Sequence, residues 1–333
     1  MKKLVFLFAM VLVAGFVMAQ QNKSEIIQAS EDNTVTVNQV AESDEPLNGT
    51  YSWVNQQGNE NTAGVEQQHT GDLSSRTGNL DAYIDQLGDG NTATQLQGPH
   101  TQQGATYAKI YQNGSDNTAF QNQVKYGNSA EIFQGGLGNA ANQAQDIDLP
   151  LDAEGSFNTA YINQSGDYNS ADQHQDGWSN EATIYQEGDG NTATQDQTSW
   201  VSDAYISQSG DDNTATQDQS GKLNSASIDQ SASESSATQT QVSLGSRASA
   251  VYDPLNDAEI IQMTGTGNTA TQMQTMPAGV ATDILPNYAY ASQDGSSITA
   301  TQTQTGGNNW SSAIQSGSGH TATLTQSQTI IQP

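Results

Sequence analysis

The segment from Asn180 to Gln197, NEATIYQEGDGNTATQDQ, contains one short pattern twice. Asn, Ala, Ile and Gln occupy every second position from 180 to 186, and Asn, Ala, Gln and Gln occupy every second position from 191 to 197. This alternation has the period of a β-strand, which sends successive side chains to opposite faces. The GDG tripeptide between the copies is typical of a tight turn, because glycine accepts a positive φ at little cost. The segment therefore predicts strand, arc, strand and arc, a unit that we call a rung.

The same rung recurs along the whole chain. Its first Gln falls at positions 28, 56, 86, 112, 134, 164, 186, 208, 230, 262, 293 and 315. A second Gln follows eleven residues later in every rung but the tenth, where the offset is twelve. A regular repeat can stack on itself, so the pattern outweighs a composition that is only 33% hydrophobic. We predict an all-β, amyloid-like β-solenoid of about twelve rungs of about 22 residues, each with two strands and two tight arcs, stacked in parallel and in register.

Stacking would place each Gln and Asn above its own copy in the next rung. Amides can then hydrogen-bond the neighbours above and below, whereas an unpaired buried amide would cost more than one bond contributes. Ile and Ala would fill the space between the two sheets. The predicted ladder residues are Gln86, Asn91, Gln97, Gln112, Asn117, Gln123, Gln134, Asn139, Gln145, Gln164, Asn169, Gln175, Gln186, Asn191, Gln197, Gln208, Asn213 and Gln219. The predicted turn glycines are Gly88, Gly114, Gly136, Gly166, Gly188 and Gly210.

Residues 1–19 have two lysines, then an apolar run, then a small residue at the end. That order is typical of a secretory signal peptide, and the run is short for a membrane anchor. Residues 20–333 are then expected to form a single solenoid without a membrane span. The connectors between rungs vary in length and the long ones collect six of the seven prolines, so the insertions are expected along one edge of the coil.

The composition disfavours several classes of function. Eight scattered Lys and Arg in a chain of net charge −28 disfavour a nucleic-acid partner, and the absence of cysteine excludes disulfide and thiolate chemistry. The four histidines share no ligand spacing, and no nucleophile motif or recurring carboxylate pair occurs. The aspartates of the arcs lack the nonapeptide pattern of a calcium-binding β-roll and are expected to supply outward charge. We therefore expect no metal site, no cofactor and no enzymatic activity.

Neither end of the repeat array shows a β-bulge, a proline or a bulky cap: the first rung opens at Asn22 and the last closes at Gln326. An exposed, flat sheet edge is a template for another chain. Copies are therefore expected to add head to tail, as open heterologous contacts do.

The spacing Gln-x-Gly-x-x-Asn-x-Ala-x-x-x-Gln, as in Gln186, Gly188, Asn191, Ala193 and Gln197, resembles the curlin repeat of curli fibre subunits. The resemblance implies a subunit that a Gram-negative-type bacterium exports through an outer-membrane channel with accessory factors. It also implies nucleated polymerisation into extracellular amyloid fibres for biofilm matrix, adhesion and surface colonisation, with the chain itself and a nucleator subunit as partners. In that family the Gln and Asn at these positions drive stacking. This chain has more rungs than the family's major subunit.

Two alternatives remain open. The chain could be a minor nucleator or adhesin subunit of the same fibre system. It could also be an ice-binding solenoid, because outward Thr-x-Thr pairs such as Thr192 and Thr194 resemble the water-ordering face of some antifreeze β-solenoids. That array is interrupted at Gly64, Phe120, 140–142 and Asp172, and Thr is common on any exposed strand.

Overall fold

The computed structural model describes residues 22–42, 49–70, 79–100, 105–125, 127–145, 157–244, 256–277 and 286–327. The predicted signal peptide and most of the long connectors, with Pro46, Pro150 and Pro254, lie outside these residues. All regular elements in the described residues are β-strands. Among the same residues, no helix is long and apolar enough to cross a membrane.

The strands form two sets that alternate along the chain. The odd-numbered set is β1 (Lys23–Ala29), β3 (Thr50–Gln57), β5 (Leu80–Leu87), β7 (Thr106–Ser115), β9 (Ser129–Leu137), β11 (Thr159–Ser165), β13 (Glu181–Glu187), β15 (Asp203–Gln208), β17 (Asn224–Gln230), β19 (Asn256–Thr264), β21 (Asn287–Ser296) and β23 (Trp310–Ser318). The even-numbered set is β2 (Thr34–Glu42), β4 (Thr62–Thr70), β6 (Thr92–His100), β8 (Thr118–Gln123), β10 (Ala140–Gln145), β12 (Ser170–Trp178), β14 (Thr192–Trp200), β16 (Thr214–Lys222), β18 (Ser236–Ser243), β20 (Thr269–Met276), β22 (Thr299–Thr305) and β24 (Thr321–Ser327).

The chain divides into two compact units, residues 1–167 and residues 168–333. In the first unit the odd strands β1 to β11 pair in chain order, and so do the even strands β2 to β10. In the second unit β13 to β23 pair in the same way, and so do β12 to β24. The pairings are parallel, as between β5 and β7 or between β14 and β16. Each rung thus contributes one strand to each of two sheets, which confirms the predicted all-β solenoid of about twelve rungs.

The register places like residues on like. Gln86 lies opposite Gln112 between β5 and β7, and Gln197 lies opposite Gln219 between β14 and β16. The register shifts once in the second unit, just after Gln262, where the tenth rung has its extra residue. The hydrophobic and amide positions of the repeat therefore form continuous columns within each unit.

The inward faces of the two sheets enclose a thin core. Every second residue of β13 and β14 is buried, and the intervening residues are exposed or half-buried, as the alternation predicts. Full burial of each isoleucine contributes about 1.5–3 kcal/mol. The fully buried isoleucines of the repeat are Ile84, Ile110, Ile132, Ile162, Ile184, Ile206, Ile228 and Ile260.

The arcs require glycine for two different reasons. Gly88 has a φ of +113°, and a Cβ built there would lie 2.0 Å from the carbonyl oxygen of Gly114 in the next rung. Gly114, Gly136, Gly166 and Gly188 also have positive φ. Gly210 differs from this expectation, because its φ lies outside the left-handed region. There the close approach alone excludes a side chain, since a Cβ would lie 2.2 Å from the Ala232 carbonyl oxygen in the next rung.

Candidate functional site: amide ladders and open edges

The first Gln of each rung forms a buried ladder along the stacking direction. In the first unit, Nε2 of each Gln donates to Oε1 of the next from Gln28 to Gln164, at 2.8–2.9 Å. In the second unit the same bonds run from Gln186 to Gln293, at 2.7–2.9 Å. The structure therefore places the predicted residues of this column in one hydrogen-bonded line within each unit.

The second Gln of each rung forms a second ladder. It runs from Gln39 to Gln145 in the first unit, with distances of 2.8–3.3 Å. In the second unit it runs from Gln175 to Gln326, with distances of 2.8–3.1 Å. All of these bonds have one polarity, because the earlier rung donates and the later rung accepts.

Most ladder glutamines also bond the sheet that faces them. Gln197 Nε2 donates to the backbone carbonyl of Glu181 at 3.0 Å, across the core, as well as to the next rung. Gln186 Nε2 donates in the same way to the carbonyl of Ser170 at 3.0 Å. One side chain thus connects neighbouring rungs and opposite sheets. Both hydrogens of its amide are satisfied, which is what burial of a primary amide demands.

A third ladder is formed by buried glutamines that are absent from the predicted set. Its Nε2-to-Oε1 bonds run from Gln95 to Gln143 in the first unit and from Gln173 to Gln302 in the second, at 2.7–3.0 Å. The sequence alone could have predicted this third ladder, because Gln195 stands on the same alternation as Gln197.

The third ladder is apolar at its ends. Val37 and Val65 occupy this column before Gln95, and Leu324 occupies it after Gln302. Because Val65 cannot donate, Gln95 Oε1 has no hydrogen-bond partner among the described residues. The column therefore changes from aliphatic to amide and back to aliphatic along the chain.

The asparagines differ from the prediction of amide on amide. The backbone N–H of Asn91 donates to Asn61 Oδ1 at 2.9 Å, and Asn91 Nδ2 donates to the carbonyl of Gly114 at 2.8 Å. Asn191 likewise accepts from the N–H of Asn213 at 3.0 Å and donates to the Gly210 carbonyl at 2.7 Å. Asparagine stands where the arc joins the strand, so it pairs backbone groups of the next rung that the sheet leaves free. Among the predicted asparagines, Asn117 Nδ2 also donates to Asn91 Oδ1 at 3.1 Å, and asparagines at the opening position of later rungs bond one another, as from Asn256 Nδ2 to Asn224 Oδ1 at 3.0 Å.

The arc aspartates do more than supply outward charge. Asp89 Oδ1 accepts the backbone N–H of Asn59 at 2.7 Å, and Asp211 Oδ1 accepts that of Asp189 at 3.0 Å. Each carboxylate thus caps the arc of the preceding rung. This role replaces the expectation that these residues act by charge alone.

The surroundings of His174 shift its pKa strongly. Its Nε2 lies 3.3 Å from Asp176 and its Nδ1 lies 3.4 Å from Asp196. The nearby carboxylate of Asp176, and then that of Asp196, raises the pKa of His174 to about 10 against an opposing effect of burial. Within the described ranges, no group of three or more His, Cys, Asp or Glu side chains could hold a metal ion.

Outward aromatic rings form short surface columns in each unit. The Tyr83 ring lies 5.5 Å from that of Tyr51 and 5.6 Å from that of Tyr107. In the second unit the Tyr185 and Tyr205 rings are 6.0 Å apart. Such pairs stabilise the stack modestly.

The outermost strands leave inward columns open. Among the described residues, β1 pairs with β3 alone and β23 pairs with β21 alone. The outward side chains Ile27 and Ile314 each precede the first Gln of their rung, and they are 45% and 74% exposed. The first ladder stops one rung short of the edge at β23, because the buried Oε1 of Gln315 has no hydrogen-bond partner among the described residues. Both edges thus present unpaired sheet positions together with apolar surface.

Three stretches of the chain match the family model of the curlin associated repeat, at residues 177–216, 210–242 and 295–327. The second unit of the chain contains curlin repeats. All three curlin matches lie in the second unit, and they include ladder residues such as Gln186, Asn191 and Gln197. No curated protein and no solved structure matches the chain. Curlin repeats mark a curli-type structural subunit, in a family that is structural rather than enzymatic and whose members are extracellular fibre subunits.

Proposed function

We propose that this curlin-repeat protein is a secreted subunit that polymerises head to tail into extracellular amyloid fibres of a biofilm matrix. Residues 1–19 are its signal peptide, and residues 20–333 form the exported solenoid. The observation that supports this function best is the chemical match between the two open edges. The edge formed by β1 and β2 presents the same glutamine and aliphatic columns as the edge formed by β23 and β24, whereas the asparagine column has Asn33 at one edge and His320 at the other.

The amide columns match in position and in polarity. Stacking β1 of one copy on β23 of another brings Gln28 over Gln315, and stacking β2 on β24 brings Gln39 over Gln326. Because the earlier rung always donates, Gln326 Nε2 would donate to Gln39 Oε1 of the next copy, as Gln304 donates to Gln326 at 3.1 Å. The bond polarity therefore favours a head-to-tail junction over a head-to-head one.

The apolar positions match as well. The third column ends in Leu324 and begins with Val37, so an aliphatic side chain meets an aliphatic side chain in the core of the junction. On the outer surface Ile314 meets Ile27, which covers the most exposed isoleucine of the described residues. Removing apolar surface from water contributes about 25 cal/mol per Å² to association. A slip by two residues along the strands would place Gln326 over Val37 and leave an amide unpaired, which disfavours other registers.

The family resemblance supports the remaining parts of the proposal. A curli-type subunit needs an outer-membrane secretion channel with accessory factors and a nucleator subunit, in a Gram-negative-type bacterium. Adhesion and surface colonisation follow from fibres held at the cell surface. The buried Gln and Asn columns supply the in-register stacking on which such fibres depend.

The test compares two single-residue variants of the exported chain. Wild-type protein should grow fibres that bind amyloid dyes and diffract at the cross-β spacings of about 4.8 and 10 Å. Leu324→Glu places a charge in the core of the junction and should slow elongation at least about tenfold. Thr325→Glu adds the same charge to an outward position of the same strand and should grow nearly as the wild type does. Equal elongation rates for the two variants would contradict the junction.

A different outcome would favour the alternative function. Wild-type protein that stays monomeric for days at high concentration but inhibits ice growth would identify an ice-binding solenoid. The chain would be the nucleator instead if fibres of another subunit grow only when small amounts of this chain seed them.

A further inference from the structure

The even strands of the second unit present a continuous face of small hydroxyl side chains. We call the outward positions of β14, β16, β18, β20, β22 and β24 the threonine face. The register aligns its first column as Thr192, Thr214, Ser236, Thr269, Thr299 and Thr321, and its second column as Thr194, Thr216, Thr238, Thr271, Thr301 and Thr323. The interruptions seen in the sequence fall on β4, β8, β10 and β12. The face is therefore unbroken over six successive strands.

The threonine face is almost free of charge. Its third column contains Asp196 and Asp218 on β14 and β16, β16 ends in the outward Lys222, and strands β18, β20, β22 and β24 contain no charged residue at all. The opposite outward face of the same unit is acidic. It contains Glu181, Asp203, Asp229, Asp257 and Glu259.

This contrast matters in a chain of net charge −28. Two copies that approach by an acidic face repel one another, whereas two threonine faces meet with little charge between them. Small identical side chains in a flat, regular array also interdigitate well across paired sheets. The occupant that this face fits is therefore the same face of another copy, related by a twofold axis.

We propose that the threonine faces of two fibres pack together, so that fibres of this protein pair side by side. The inference rests on the proposed head-to-tail polymerisation and adds a second, lateral contact to it. Hydroxyls at the rim can bond across the contact, and the threonine methyl groups pack at its centre.

The size of the face explains why polymerisation must come first. Six strands about 4.8 Å apart and four outward columns about 6.7 Å apart span roughly 24 by 20 Å. One pair of copies would bury about 1,000 Å² in total, below the 1,200–2,000 Å² of stable interfaces. In a fibre the same contact repeats with every subunit, and the repeated contacts bind as one multivalent surface. Monomers should therefore stay apart while fibres pair.

The experiment compares two variants that add one carboxylate each. Thr238→Glu places it at the centre of the threonine face, between Thr216 and Thr271. Thr183→Glu places it on the opposite sheet, at a half-buried outward position beside Tyr205. Amyloid-dye kinetics measure growth, and cryo-electron microscopy measures the fraction of fibres that are paired. Both variants should grow like the wild type, but Thr238→Glu should lower the paired fraction at least about fivefold.

The outcomes separate this inference from the proposed function. Equal pairing in the two variants would overturn the lateral contact. Single wild-type fibres would also overturn it while leaving head-to-tail growth intact, and binding of such fibres to ice would assign the threonine face to ice instead. Absence of wild-type fibres would contradict the proposed function and this inference together, because the face is too small to pair monomers.

Discussion

At the scale of single residues, the length of an amide side chain determines what it can reach. Glutamine, with one more methylene than asparagine, bonds the amide of the next rung and the backbone of the facing sheet, as Gln197 does. Asparagine sits closer to the backbone and bonds the arc of the next rung, as Asn191 does. The two residue types therefore have separate roles in one repeat: glutamine connects the strands, and asparagine connects the arcs.

The third ladder allows a direct test of amide pairing. Gln195→Leu interrupts the ladder and leaves Gln217 Oε1 without the donor that it now has at 2.9 Å. An unsatisfied buried group costs about 1–3 kcal/mol, so this variant should lower the free energy of unfolding by at least that amount. Denaturant titration of the folded protein measures the change.

Gln95→Leu is the matched control. It also deprives Gln121 of a donor, but it removes the Gln95 Oε1 that already has no partner. The loss should therefore be smaller than in Gln195→Leu by about 1 kcal/mol or more. A larger loss at Gln95 would show that side-chain volume, and not amide pairing, governs stability in this column.

At the scale of the strand, parallel in-register pairing brings like charges together. Glu181 lies opposite Asp203 on the neighbouring strand, whereas Asp257 has Glu259 two residues away on its own strand. Burial, and then the neighbouring carboxylate, raises the pKa of Asp203 and of Asp257. The negative charges of these acidic residues thus destabilise the strand stack, and protonation of their carboxylates at low pH relieves the repulsion.

His174 has the opposite effect on β12 and β14. Its folded pKa of about 10 lies above the ordinary value of 6.5, so its contribution to stability is complete below about pH 6.5 and is lost as the pH rises to about 10. His174→Asn should therefore reduce the decline in stability between these pH values. Denaturant titrations at pH 6, 8 and 10 measure this decline in stability. Parallel profiles for the variant and the wild type would contradict the raised pKa of His174.

At the scale of the whole molecule, growth depends on columns that continue from one copy to the next. The double variant Gln186→Ala, Asn191→Ala removes a bond to Gln208 and one to the Gly210 carbonyl, and should slow fibre growth. Glu181→Ala changes an exposed residue and removes one charge beside Asp203, so growth should be unchanged or faster. Dye-binding kinetics at matched concentration measure both. Equal slowing would mean that the inward and outward faces are reversed.

The sequence by itself determined the periodic features of this protein. Alternation assigned Gln186 and Ile184 to the buried face, and the eleven-residue offset predicted two strands in each rung and like above like. These features follow from spacing along the chain, because strand geometry converts spacing directly into face and column. The same spacing placed Gln195 beside Gln197, and its column could have been found in this way.

Only the tertiary structure decided where the hydrogen-bonding groups go. Three such features depend on distances between rungs. Asn91 bonds the backbone of the next rung, close approach requires glycine at position 210, and Val65 leaves Gln95 without a donor. The continuity of the threonine face through Thr238 depends on the register across connectors of unequal length. Spacing along a chain assigns each side chain to a face, but distances across the stack decide its partner.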